Sequence, residues 1–449
     1  MNLTVAGIGA NAATEILFRA QEVLVTRGMP TENGSASRPP TPTASPPENV
    51  PMFRKNRDFT LLWSAGAGSA LGVHIGLVSY PLIALELTGS STQAGLLGSL
   101  ALLVQSAIRL PAGALVDRWD RRNVMIACDT VRIVLAAGLG VSALLGSLTF
   151  WVLMAAVALS SACEVVFQPA ETAALRRVVP ADALPRAVAA NEARGHAAAI
   201  VGQSLGGTLL GLGKALPFLG QSMGFLVSLF ATLLVRTEMR GHGKSEFLLR
   251  EIAEGVRWTW RQRTLRVILL SGIGINLAFA ALTFGVVVMA RSEGASAGEI
   301  GLIFGMGSVG GMLGGRTGHT DRPSLAPPSR IILGVFWTNS ALIGPMILYP
   351  NVHVMGVLLA CMLFMTPSAN AVLIGFQVAV TPDRLQGRVI SSMRLIISLG
   401  APLGPGFAGL LAESSGASVA LLATNGVMLL VAVGSTCSRT MRQLRPQQT

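Results

Sequence analysis

The sequence predicts an all-α integral membrane protein, with twelve transmembrane helices in two parallel six-helix halves around a central cavity. Three observations point there. The chain is 51% apolar and 12% charged, against roughly 25% charged in ordinary soluble domains, too little charge to clothe a soluble surface. Mostly apolar stretches of about 20 residues, long enough to cross a roughly 30 Å hydrocarbon layer, recur from residue 60 to residue 437. The chain also repeats itself at an offset of 201 residues.

Apolar runs between charged or Pro/Gly breaks set spans near 59–85, 92–116, 122–146, 149–173, 187–212, 215–236, 265–290, 297–317, 329–349, 353–380, 388–412 and 417–437. Such lengths exclude a porin-type barrel, whose strands alternate polarity over about 10 residues. The expected division is a Pro/Ser-rich tail at 1–52, a first half at 53–236, a linker at 237–264, a second half at 265–438 and a short tail at 439–449. "TENGSASRPPTPTASPPENVP" cannot build a packed core, so the first tail reads as disordered. A translation start at Met52 explains it equally well. In the linker, Leu248, Ile252, Val256 and Trp260 recur every four residues among charges, the pattern of an interfacial helix. Cys128, Cys163, Cys361 and Cys437 all fall inside spans without metal-ligand spacing, and read as small core residues.

Basic residues gather on one side. "FRKNRDF" precedes the first span and "DRWDRR" follows the second. Arg176, Arg177 and Arg186 follow the fourth, and further arginines follow spans six, eight, ten and twelve. The other side holds essentially Lys214 and Arg291. The positive-inside rule then makes both termini cytoplasmic in a multi-pass plasma-membrane protein. The net charge of +12, concentrated in short loops, suits anionic lipid headgroups and not nucleic acid.

At the offset of 201, Gly113, Asp120 and Arg121 fall on Gly314, Asp321 and Arg322, and Val179, Asp182 and Leu184 fall on Val380, Asp383 and Leu385. With one residue of slip, "GQSLGG" at 202–207 meets "GPGFAG" at 404–409. Separate loops sharing one offset indicate a duplicated six-span unit. Parallel halves around a cavity are a secondary-transporter architecture.

"GALVDRWDRR" at 113–122 resembles the loop signature of the major facilitator superfamily. "LELTGSS", "ACDTVR", "VVPADAL", "EIAEGVRW" and "LQGRV" resemble its macrolide-efflux-like and enterobactin-exporter-like branch, over about Arg54 to Arg439. The resemblance implies that Gly113 permits close helix packing and that Asp117, Arg118, Arg121 and Arg122 form a conformational latch between halves. Simple topology anchors are the alternative reading. It also implies an antiporter-like glycine motif in span five. Gly195, Gly202, Gly206 and Gly207 are kept, while Gln203 stands where the family usually carries proline.

Charges within spans are costly and mark functional candidates. Arg109, Asp129, Arg132 and Glu164 are four of them. They read either as a proton-coupling network with Glu164 as the deepest acid, or as a static ion-pair cluster. His74, Asn276 and Asn370 are isolated polar groups near mid-span, each facing either a cavity or a neighbouring helix. No cofactor or metal site is expected, and no catalytic residues. "GHGKS" at 241–245 lacks the first phosphate-loop glycine, Glu238 standing there. "GQSLG" lies in a membrane helix, where no nucleophile elbow forms. The five histidines form no compact set.

The expected function is secondary active export of hydrophobic or amphipathic organic compounds, such as drugs, by proton antiport and alternating access, with a monomer as the working unit. Dedicated export of a siderophore or other secondary metabolite is the alternative, and a transporter-like membrane sensor a further one.

Overall fold

The computed structural model describes residues 56–239, 248–318 and 327–442. The expected N-terminal tail, the repeat residues Asp321 and Arg322, and most of the C-terminal tail lie outside them.

Six long helices build the first half: α1 (Arg57–Thr88), α2 (Ser91–Arg118), α3 (Arg121–Leu144), α4 (Phe150–Val178), α5 (Leu184–Leu212) and α6 (Leu216–Leu234). The short α7 (Leu248–Arg261) follows. The second half contains α8 (Arg263–Ser292), α9 (Ala297–Gly318), α10 (Pro328–Leu348), α11 (Val352–Val380), the pair α12 (Gln386–Ser398) and α13 (Leu403–Ser415), and α14 (Ala417–Cys437), before a last turn α15 (Arg439–Arg442). Counting α12 and α13 as one span, twelve spans cross among the described residues.

Local chemistry sets the ends. Asn56 caps α1, its side chain accepting from Phe59 N at 3.0 Å while donating to Val178 O at 2.7 Å, which ties α1 to the end of α4. Asp120 caps α3 by accepting from Arg122 N at 2.9 Å. Gly89, at φ 65°, closes α1 in the left-handed conformation that glycine adopts without strain. Eleven of the spans are apolar enough to cross a membrane by length and composition. The exception is α5, as long as its neighbours but carrying Arg186, Glu192, Arg194 and His196.

The structure corrects the expected eleventh span. It is not continuous: α12 ends at Ser398 and α13 begins at Leu403, within a stretch rich in Gly and Pro. The linker helix forms, with the side chains of Leu248 and Ile252 outside the described residues. Gly255 abuts the Arg388 carbonyl, Glu254 pairs with Arg388 at 2.6 Å and Trp258 joins the core of the second half, whereas Trp260 is half exposed. Cys128 is buried as expected, but Cys361 and Cys437 lie on the outer surface, where a thiol sits as easily against lipid as in a core.

The packing is pseudo-symmetric. In the first half, Gly202 and Gly206 of α5 press on α1 backbone at Leu71 and Ile75, and Gly207 presses on Ala297 and Gly301 of α9. In the second half, Gly404 of α13 presses on Leu277 and Ala281 of α8, and Gly409 presses on Ser91 and Gly95 of α2. The same helix of each unit thus packs on its own first helix and reaches across to the second helix of the other unit.

Three apolar clusters form the core. One, at the end away from the termini, joins both halves, bringing Leu82, Ile83 and Leu97 against Leu282, Val286 and Ile300. At the basic, terminus-bearing end each half keeps its own: Phe59, Met125, Leu175 and Val235 in the first, Leu265, Ile332, Val389 and Met441 in the second. The halves therefore meet at the far end and part toward the basic end.

Candidate functional site

Between the halves lies a cavity in two chambers. The deeper one, about 310 Å³, is walled by Tyr80, Pro81, Leu97, Gln105 and Val157 of the first half and Phe284 and Phe304 of the second. The other, about 500 Å³, lies toward the basic end and is lined by Arg109, Asn339, Asn370, Gln377 and Arg394. Asn276 and Phe279 line both, so the chambers adjoin. The inner one is apolar apart from a few amides and hydroxyls; the outer one is polar.

Glycine contacts seal the far end. A Cβ on Gly95 would lie 2.3 Å from Pro405 O, one on Gly207 2.1 Å from Ala297 O, and one on Gly409 2.4 Å from Ser91 O. Only residues without a side chain allow such approach between backbones. Polar bridges reinforce it. Glu413 accepts from Ser90 Oγ at 2.5 Å and from Thr92 N at 2.7 Å, capping α2 from the opposite half. Arg291 reaches Glu86 at 3.4 Å.

Further in, serines of the first half bond to peptide groups flanking the break between α12 and α13. Gly406 N donates to Ser99 Oγ at 2.8 Å, and Ser106 Oγ donates to Ser398 O at 3.4 Å. Ser99 and Ser106 are two turns apart on one face of α2. On the opposite flank, Ser308 of α9 donates to Gln203 of α5 at 2.8 Å.

Of the four candidate intramembrane charges, two are in direct contact. Arg132 pairs with Asp129 at 2.6 Å, and Ser228 Oγ donates to the other Asp129 oxygen at 2.6 Å. The Arg132 guanidinium lies 4.7 Å and 4.5 Å from the ring centroids of Phe167 and Phe225. The rings supply a cation–π environment for an arginine only 1% exposed. This pair is sealed inside the first half and lines neither chamber.

Glu164 and Arg109 make no ion pair among the described residues. Glu164 instead accepts from Gln105 Nε2 at 3.3 Å. It lies seven residues, two turns, beyond the cavity-lining Val157 on the same helix face. Arg109 and Arg132 are both within electrostatic reach of it. A second intramembrane pair escaped the sequence reading. Arg194 bonds Glu171 at 2.6 Å across α5 and α4, in space left by Gly66 of α1.

The remaining candidates are dispersed. Asn276, whose amide donates to Gly272 O at 3.0 Å, and Asn370 line the cavity. His74 packs beside Gly202 with Nδ1 buried and unbonded, and lines neither chamber. Arg122 donates to Thr232 O at 3.3 Å and Leu233 O at 2.6 Å, holding the end of α6 in its own half. The Arg121 amide donates to Met239 O at 3.4 Å, again within the first half, and Arg118 is exposed. Asp117 lies in α2, its side chain outside the described residues.

One glycine expectation needs correction, and one motif glycine stands apart from the packing. A Cβ at Gly113 or Gly195 would meet nothing within 4 Å, so neither permits close packing in this conformation. The close approach falls instead on Gly314, the repeat counterpart of Gly113, 2.0 Å from Phe364 O by the same measure.

Residues 62–372 match the family model described as Major Facilitator Superfamily. The chain belongs to the major facilitator superfamily. Superfamily membership makes it a multi-pass transporter and not an enzyme, in agreement with a cavity between duplicated halves that is closed at one end. Among curated relatives, "Multidrug efflux pump Tap" of Mycolicibacterium fortuitum is 28% identical over 409 residues, covering 85% of this chain and 94% of its own. "Macrolide efflux protein A" of Streptococcus pyogenes is 23% identical over 398 residues, covering 86% and 97%. These relatives align the chain with the superfamily's efflux-like branch. The superfamily fold is also seen in a bacterial homologue of the human lysosomal transporter Spinster, inward-facing and unoccupied, with a TM-score of 0.69 at 16% identity, covering 89% of this chain and 100% of that one. The nucleoside transporter NupG superposes with a TM-score of 0.69 at 12% identity, covering 86% and 99%.

Proposed function

We propose that this transporter exports hydrophobic or amphipathic organic compounds, drugs among them, by alternating access and proton antiport. The observation that carries the reading is the cavity. It is apolar at its closed far end, polar toward the basic end, and bounded by both halves of one chain. By the positive-inside rule the basic end and both termini face the cytoplasm, so this conformation collects cargo from the cytoplasm or inner leaflet of the plasma membrane. The kinship with the two efflux pumps supports the direction and the cargo class. Because one chain completes the cavity, a monomer suffices.

Glu164 is the proton carrier in this scheme. It stands beside the deeper chamber, joined to the lining Gln105 and opposed by no paired base, so a change in solvent access changes its proton affinity. Asp117, Arg118, Arg121 and Arg122 act when the basic end closes, and Arg122 already anchors that loop to α6. Expression in a host stripped of its own pumps tests the reading. Lower accumulation of a macrolide and of a lipophilic dye, abolished by a protonophore, is expected; unchanged accumulation across a broad compound panel refutes it.

A further inference from the structure

Arg109 and Arg394 face the same chamber, one from α2 of the first half and one from α12 of the second. Neither makes a hydrogen bond or an ion pair with any described residue, and no carboxylate is found among the described lining residues. Arg109 is nine residues from the basic end of α2 and Arg394 eight from the start of α12, so both sit roughly 12 to 14 Å inside that end at 1.5 Å per residue. Arginines at such depth ordinarily pair with an acid or a carbonyl, because an uncompensated charge there is costly. The other intramembrane arginines of this chain follow that rule, Arg132 with Asp129 and Arg194 with Glu171. Arg109, within electrostatic reach of Glu164 but bonded to no acid, and Arg394 do not.

Asn339 adds an independent sign. It lines the same chamber, is only 4% exposed, and leaves its side-chain oxygen without a partner. A buried amide that lacks a protein partner is completed by ligand or water. Asn276 and Phe279 then lead directly into the apolar chamber. A molecule spanning both would place an acceptor-rich, negatively charged head between two guanidinium forks and an apolar body among Tyr80, Leu97 and Phe284. Guanidinium suits a carboxylate, sulfonate or phosphate through paired, charge-assisted hydrogen bonds.

We propose that Arg109 and Arg394 form an anion-recognition site, and that the preferred cargo is an amphiphilic organic anion. The inference rests on the exporter reading for its route, but the binding site is tested separately. Because the two arginines come from opposite halves, one anion would bridge both and report occupancy to the halves that must move.

The test uses two probes with the same ring system, 8-anilinonaphthalene-1-sulfonate and uncharged N-phenyl-1-naphthylamine. Their binding is titrated against purified full-length protein in phosphatidylcholine nanodiscs, with empty discs subtracted. The wild type is expected to favour the sulfonate over its uncharged parent by at least about tenfold, the scale of one charge-assisted hydrogen bond. Arg394→Gln should reduce that preference, Arg394→Lys should keep part of it, and Arg109→Gln/Arg394→Gln should erase it, with size-exclusion profiles confirming that each variant folds. Equal binding of the two probes to the wild type, or a preference that survives the double substitution, overturns the site. A preference lost by the wild type in phosphatidylglycerol discs assigns the arginines to lipid headgroups and overturns the cargo proposal. Efflux of neutral compounds in cells without arginine-dependent sulfonate binding would leave the exporter reading standing and remove this one. Sulfonate binding without efflux of anything would do the reverse.

Discussion

Replacing Gly207 by alanine should open the far end. The new methyl carbon would lie 2.1 Å from Ala297 O and 2.9 Å from Gly301 backbone atoms, where ordinary contact begins near 3.4 Å. Both obstacles are backbone of the opposite half, so no side chain can swing aside, and α5 and α9 must part. Overpacking of this kind costs about 1–3 kcal/mol. Here the cost falls on the far-end-closed conformation alone, since separated halves have room for the methyl group. The closed-to-open ratio should therefore fall roughly five- to 150-fold. The assay places a reporter cysteine at Ser99, in a background whose native cysteines are replaced, and measures its labelling by an impermeant maleimide from the far side. Gly207→Ala should raise the rate by about that factor, and Gly409→Ala, its pseudo-symmetric counterpart, should do the same. Gly195→Ala is the control, because its Cβ would meet nothing within 4 Å. Equal rates for Gly195→Ala and Gly207→Ala would refute the account of the seal.

Asp129→Asn should lower thermal stability in detergent by roughly 3–5 kcal/mol, since it leaves Arg132 charged and buried; the double change to Asp129→Leu and Arg132→Met should be milder, and an additive double would refute the pairing. Glu164→Gln should abolish drug-induced dissipation of a proton gradient in vesicles while leaving downhill cargo exchange, and intact coupling would remove Glu164 from the proton path. Asp117→Ala should impair efflux at normal membrane abundance; unchanged efflux reduces the loop to a topology anchor.

The spans were legible because crossing a hydrocarbon layer demands length and apolarity, quantities that single stretches display. The duplication was legible for a related reason: loops at one offset keep turn and charge residues that each half needs separately. The break after Ser398 was missed because "SLGAPLGPG" is apolar throughout, although its Gly and Pro density marked it. Asp129 and Arg132, three residues apart, shared a helix face and could be paired from spacing alone. Glu171 and Arg194 could not, because which faces of α4 and α5 meet is decided by packing. Arg109 and Glu164 looked like members of one cluster for want of that same information. The structure shows Arg109 on a chamber wall and Glu164 turned to Gln105. Arg394 was passed over although it stands within the eleventh span, where its depth alone should have raised the question.

Backbone groups, and not only side chains, join the halves along α2. The Gly406 amide donates to Ser99, and the Ser398 carbonyl, which also accepts from Ala401 N at 3.3 Å, accepts from Ser106, so each leans on a serine of the other half. If the far end opens, the Gly406 amide must find a new partner, and a buried peptide group left waiting costs about 1–3 kcal/mol. Small tilts stretch the serine bonds before water can arrive to replace them, so part-way positions are penalised more than either end state. On the alternating-access reading, Ser99 and Ser106 would work as a detent, holding the molecule until it can move through the whole stroke. A carrier that dwells little between its two settings seldom stands ajar at both ends, which keeps ions from leaking through while cargo passes.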